Sequence, residues 1–343
     1  MSINAGLAHL SNGLLLTAVV IYAVAMLAFA CDFAFGKKRA PAVARVRVPE
    51  LVTAKAATGA AGGAGAGGSA PGGAEADAAA AVQRAGRGPA GFWVTTAVVL
   101  TCVGLALHSA GVLTRGLAVH RLPWGDMYEF VTALTCVAVA FFLGAMVRYR
   151  AYYMGLFVMA SVVLVLGLAE TVIYTPAGEL PPALQSYWLA IHVTAMTLAT
   201  GIFFVAAVTG VTYLVVDRHA RRVAAGRPAG ADGILRRLPG PAELDRLAYR
   251  TIVFGFPVWT FGVMAGAIWA DYAWGSYWSW DPTETWAFIT WVVYACFLHA
   301  RATAGWRGRR ATVIQLTGFC CLLFNVLVVS LIIPGQHSYA GLH

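Results

Sequence analysis

Charge is what this sequence has least of. Asp, Glu, Lys and Arg make up 11% of its 343 residues, less than half the share of an ordinary soluble domain. Hydrophobic residues reach 59%, so a water-soluble globular fold is excluded as the main reading. C-x-x-C is also missing. Cys31, Cys102, Cys136, Cys296, Cys320 and Cys321 all lie inside apolar runs, which excludes a zinc ribbon, a thioredoxin-like redox pair and a C-x-x-C-H attachment site. These cysteines read as small hydrophobes packed between helices. The N-terminal stretch MSINAGLAHLSNG lacks a basic n-region, so the first apolar run is expected to remain as a membrane span. No internal repeat is visible.

Apolar runs long enough to cross about 30 Å of hydrocarbon are present instead. They cover residues 14–35, 91–113, 128–147, 155–174, 187–216, 250–270, 282–303 and 311–333. The expected fold class is therefore all-α: a polytopic integral membrane protein with about eight transmembrane helices. The formal net charge of +9 could suggest nucleic acid, but its distribution points to topology. Of 24 Lys and Arg, 22 fall in connections 36–90, 148–154, 217–250 and 301–310, leaving only Arg115 and Arg121 on the other side. The positive-inside rule then places those four connections in the cytoplasm and both termini outside it.

Three segments are expected. Residues 1–35 form an N-terminal transmembrane helix. Residues 36–90 form an Ala/Gly-rich cytoplasmic linker, disordered because Gly-rich sequence has high chain entropy and little to build a core from. Its basic start, from Lys37 to Arg47, suits a membrane surface of anionic lipid. Residues 91–343 form a seven-helix membrane domain.

Tryptophan is concentrated in one place. Trp269, Trp274, Trp278, Trp280, Trp286 and Trp291 are six of the eleven. An interfacial aromatic belt explains two or three of them, but less well a loop punctuated by Gly275, Ser276, Ser279 and Asp281. Asp281, Pro282 and Glu284 spell N-cap, N1 and N3 of a helix. They are expected to fix where the loop ends, in preference to acid–base chemistry.

A flat aromatic macrocycle needs broad apolar faces and axial ligands such as His for its iron. His192, a few residues into the fifth run, and His337, after Pro334 and Gly335, can reach the same end as the Trp-rich loop. His299 lies 17 residues beyond Pro282, about 26 Å along a helix, and belongs near the opposite end. His219 reads as solvated; His9 and His343 lie near the termini. His108 fits either packing or function, since intramembrane ionisable groups are functional candidates by default.

Taken in order, these pieces resemble the CcsA/ResC family, the haem-handling component of system II cytochrome c biogenesis. The run W-G-S-Y-W-S-W-D-P-T-E-T-W from Trp274 to Trp286 resembles that family's WWD signature. Leu122–Phe130, Leu184–Val193 and Gly335–Ala340 resemble three further family segments. The resemblance covers about 91–343, with one departure: Asp126 stands where the family usually has Asn.

The resemblance implies that His192 and His337 are axial ligands to haem b, a non-covalent substrate. Trp274, Gly275, Trp278, Trp280, Asp281, Glu284 and Trp286 would form the haem platform. His299 would be half of an inner haem site completed by a ResB/CcsB-like membrane protein. Implied partners also include an apocytochrome c carrying C-x-x-C-H, a thiol-reducing thioredoxin-like protein, and membrane lipid; nucleic acid is not among them. The setting would be a bacterial cytoplasmic membrane, with the site on the extracytoplasmic face and a role in a cytochrome c haem lyase. Alternatives are a system I haem-delivery protein handing haem to a chaperone, a solute transporter, and a structural respiratory subunit. A transporter would carry intramembrane charge near the midplane; here Glu170, near the outer end of its span, is the main exception.

Overall fold

The computed structural model describes residues 3–35, 91–149, 151–179, 184–226, 235 and 238–337. The expected 36–90 linker and His343 lie outside the described residues. The helices are α1 (Ala5–Phe35), α2 (Phe92–Ala118), α3 (Met127–Tyr149), α4 (Gly155–Thr171), α5 (Tyr187–Ala224), α6 (Pro241–Trp274), α7 (Pro282–Thr303) and α8 (Arg309–Phe324). A 3-10 turn, Tyr152–Met154, leads into α4, and a π turn, Asn325–Val329, carries α8 on to Ile332. No strand occurs among the described residues.

Seven of these helices are both long and apolar enough to span a membrane. The exception is α7. Its 22 residues reach across, at about 1.5 Å per residue, but Thr283, Glu284, Thr285, Thr290, His299 and Arg301 lower its hydropathy. The molecule is a multi-pass helical membrane protein with the expected order of elements. Three helices outrun the expected spans by eight residues or more: α1 starts at Ala5, α5 continues to Ala224, and α6 starts at Pro241, whose fixed φ suits a first helical turn.

Two pairings dominate, α1 along α2 and α5 along α6. The first depends on small residues. A Cβ on Gly104 would lie 2.6 Å from the Tyr22 ring, and one on Gly111 would lie 2.8 Å from Leu15, so only glycine lets these backbones approach so closely. In the second half, Phe203 of α5 stacks on Tyr294 of α7 at 4.1 Å, and both are buried. Buried rings pack at this spacing through dispersion and quadrupole contacts.

The connections gather at two ends. At one, Arg115 reaches the Thr175 carbonyl, Arg121 reaches the Gly178 carbonyl, and Gln336 N–H reaches Asp281. This is the aromatic end. At the other, the basic end, Arg301 clasps Asp245 at 2.8 and 3.0 Å. Arg148 and Arg250 both lie over the Tyr149 ring.

Candidate functional site

At the aromatic end, α5, α6, the 275–281 loop and the chain after α8 meet around Trp269. This indole is 2% exposed. His192 stacks on it at 6.0 Å between centroids with planes 15° apart. His337 meets it edge-on at 5.7 Å. Trp274 closes the group, 4.8 Å from Trp269 and 5.2 Å from His337.

The imidazoles are held by their Nδ1 atoms. His192 Nδ1 lies 2.8 Å from the Gly262 carbonyl. A carbonyl oxygen can only accept, so His192 carries its proton on Nδ1 and keeps the Nε2 lone pair. His337 Nδ1 lies 2.9 Å from Asp281 Oδ2, and the same reasoning applies when the imidazole is neutral. Nδ1 anchored to a carbonyl or carboxylate, with Nε2 left over, is the pattern of metal-ligating histidine.

Asp281 joins two jobs. Its carboxylate accepts Thr283 N–H at 3.0 Å while Glu284 accepts Asp281 N–H at 3.2 Å, forming the capping box of α7. Its other oxygen accepts Gln336 N–H at 2.6 Å. Burial by itself would raise this carboxyl; the hydrogen bonds from His337 and Gln336 outweigh it and hold the group below the usual carboxylate value. The expected helix-start role is present, and orientation of His337 is added to it. A Cβ on Gly335 would come within 2.5 Å of Asp281 Oδ1, so the bare backbone there admits the contact.

The other predicted residues separate into groups. Gly275 ends α6 at φ +75°, a left-handed cap suited to glycine. Trp278 meets Trp280 at 5.7 Å and Phe288 at 6.2 Å. Phe288 stacks on Trp291, 6° from parallel, so a second aromatic row runs down from the loop. Trp280 is 69% exposed and has φ +59°, a costly conformation for a bulky residue that the loop must hold in place. Glu284 also accepts from Ser279 N–H and Oγ, bracing the loop. Trp286 instead packs on Phe324 at 4.4 Å, a helix-packing contact.

His299 is not brought to this site. It sits far down α7 with an exposed side chain. His108 is fully buried, 3.4 Å from Tyr22 Oη and edge-on to that ring, which gives it a packing role between α1 and α2.

Sequence reasoning missed the α6 face. Gly262, Gly266 and Trp269 fall on one side of the helix by their spacing. Gly262 supplies the carbonyl to His192, and a Cβ on Gly266 would strike the His192 ring at 2.6 Å. The signal was there as G-x-x-x-G-x-x-W, small residues at helix–helix spacing ending on an aromatic.

Fold and site together define a multi-pass helical membrane protein carrying a paired-histidine, tryptophan-lined site at one end of its bundle. The profile of the family described as "Cytochrome C assembly protein" matches residues 124–337. Among curated proteins, the cytochrome c biogenesis protein CcsA of Gloeobacter violaceus is 34% identical over 284 residues, covering 69% of this chain and 84% of that protein. CcsA of Chlamydomonas reinhardtii is 43% identical over 163 residues, which are 48% of this chain and 43% of that protein. The chain belongs to the cytochrome c assembly protein family, among the CcsA proteins. In fold it is similar to the solved structure of the cytochrome c haem lyase CcmF, with a TM-score of 0.58 and 16% identity. That match covers 96% of this chain and 47% of CcmF.

Proposed function

We propose that this chain binds haem b between His192 and His337 and presents it for covalent attachment to an apocytochrome c. It would act as the CcsA-like half of a system II cytochrome c synthetase. The observation carrying this reading is that both imidazoles, each anchored through Nδ1, share the Trp269 ring. Haem is the substrate here, and the donor set fits it: two nitrogen ligands and broad apolar faces.

Each residue then has a physical task. Gly262 and Asp281 hold the imidazoles in the tautomer that offers Nε2, and the Asp281 carboxylate makes His337 the more electron-rich ligand. Trp269 and Trp274 exclude water from the histidines, while Trp278 and Trp280 offer a further surface for the macrocycle. Two axial imidazoles leave no open iron position for oxygen. Each thiol of the apocytochrome's C-x-x-C-H adds across a haem vinyl group, the sulfur to one carbon and the proton to the other. The apocytochrome's own His then replaces one axial ligand. This chain supplies binding and orientation, and the reactivity belongs to haem and thiols.

His299 suits a second haem site shared with a ResB/CcsB-like membrane protein, since an exposed imidazole far down α7 is available to another chain. A thioredoxin-like protein would keep the apocytochrome's thiols reduced. The charge asymmetry supports placing the basic end in the cytoplasm of a bacterium and the histidine site outside. Residues 1–35 would anchor, 36–90 would link, and 91–343 would handle haem.

The purified protein's Soret band tests the ligands: replacement of His192 or His337 should shift or weaken it, and an unaltered band in both variants would overturn the assignment. Co-expression with a ResB-like partner and a reporter apocytochrome tests the reaction. Covalent haem on the reporter is expected; none under haem-replete conditions would leave binding without ligation.

A further inference from the structure

The basic end carries a second candidate site, unrelated to the histidines. A shallow, open-sided cavity of about 530 Å3 lies between the end of α5 and the start of α8, lined by Arg221, Trp306, Arg309, Arg310, Val313 and Ile314. Its arginines and Trp306 are exposed, so a ligand there would lie along the surface of the bundle.

The lining is divided by chemistry. Arg221 is bound to Asp217 at 2.8 Å. Arg309 and Arg310 have no carboxylate partner among the described residues; the nearby Asp245 is held by Arg301 and by Gly308 N–H. Arg310 instead lies 5.9 Å from the Trp306 ring centroid. The first turn of α8 has no side-chain cap, so its N–H groups add positive potential beside the two arginines. One turn further along α8, Val313 and Ile314 are apolar, and Val313 is 50% exposed on a membrane-spanning helix. Positive charge at the rim, an indole at the boundary and an aliphatic wall open to the bilayer match one kind of molecule.

We propose that this cavity is a site for a single anionic phospholipid. The headgroup phosphate lies against Arg309 and Arg310, and an acyl chain runs along Val313 and Ile314. Basic pockets between transmembrane helices recognise lipid headgroups in this way. A free phosphate would use only the charged half of the site.

Native mass spectrometry and thermal melting of the full-length protein test this, with dioleoylphosphatidylglycerol, dioleoylphosphatidylcholine and inorganic phosphate as probes. Phosphatidylglycerol should be retained and raise the melting temperature, while phosphatidylcholine and phosphate should not. The R309Q/R310Q variant should bind phosphatidylglycerol on the order of tenfold more weakly. R309K/R310K, which keeps the charge, should stay close to wild type and controls for loss of fold. R148Q/R250Q removes the same charge outside the cavity and should also stay close to wild type. Equal retention of the two lipids, an equal effect of phosphate, or unchanged binding in R309Q/R310Q would overturn the proposal. So would an equal loss in R148Q/R250Q.

Discussion

Two polar clusters sit at the aromatic end, and they use their polar groups in opposite ways. Around α2 and α3, Arg115 Nε lies 3.1 Å and Arg121 Nη1 2.7 Å from the Glu129 carboxylate, which is fully buried. Asp126 stands 3.7 Å from Arg115, making two cations against two acids. Around α5 and α6, each histidine spends one nitrogen on an anchor and keeps the other. The first cluster turns its charges on itself and ties the 119–126 loop to the 172–179 loop. The second fixes each imidazole through Nδ1 and keeps Nε2 out of its internal hydrogen bonds. Burial and charge alone do not distinguish the two clusters; the spare nitrogen does, and it is the atom the proposed haem site would use.

The comparison breaks most visibly at Glu129. Glu129→Gln leaves Arg115, 2% exposed, without its main countercharge, and removing one partner of a buried pair costs about 3–5 kcal/mol. A large fall in melting temperature is expected, while surviving folded protein keeps its haem spectrum. His337→Ala should do the reverse, weakening the Soret band strongly with little change in melting temperature, because His337 packs at the edge of the bundle. Asp281→Asn should weaken haem retention by roughly 10–100-fold, the usual cost of losing an outer partner of a metal-bound histidine. Titration of haem into the purified variants measures it. Gly266→Ala should act in the same direction and less strongly, since the new methyl displaces the His192 ring without removing a ligand.

The smallest expected effect separates the clusters by pH. Burial pushes Asp126 up to about 6, with the Glu129 charge adding to it and Arg115 and Arg121 opposing. A carboxyl raised on folding makes stability fall as pH rises from its unfolded value, 3.8, to about 6, with the cost then constant. Asp126→Asn keeps the oxygen that accepts Glu129 N–H and removes that cost. It should stabilise the protein by on the order of 1 kcal/mol near pH 7, with the gain gone below about pH 4. Asp281 is depressed instead, so its contribution is present above the usual carboxylate range and lost only as pH falls below it. In melting curves, Asp281→Asn should therefore fall below wild type as pH rises toward the usual carboxylate value, and Asp126→Asn should rise above wild type from there to about pH 6.

Much of this was open to a reader of the chain. Apolar run length announced the helices, because a span is a local property of about twenty consecutive residues. The Asp281-Pro282-Thr283-Glu284 cap was legible for the same reason, and the capping box formed as expected. The α7 span was harder to judge: its polar face at Thr290 is fully buried among neighbours that no local window contains. Trp269 was visible as a tryptophan and not as the centre of the site, since its partners His192 and His337 lie 77 and 68 residues away.

Sequence was enough to decide the class, the order of helices and which histidines could meet, because hydrophobic length, capping and charge asymmetry are all short-range. Only the tertiary structure decided which nitrogen each histidine keeps, that Asp281 holds both a helix and an imidazole, and that Arg115 and Arg121 close on Glu129. Those are hydrogen bonds between residues distant in the chain, and their geometry exists only once the helices have packed.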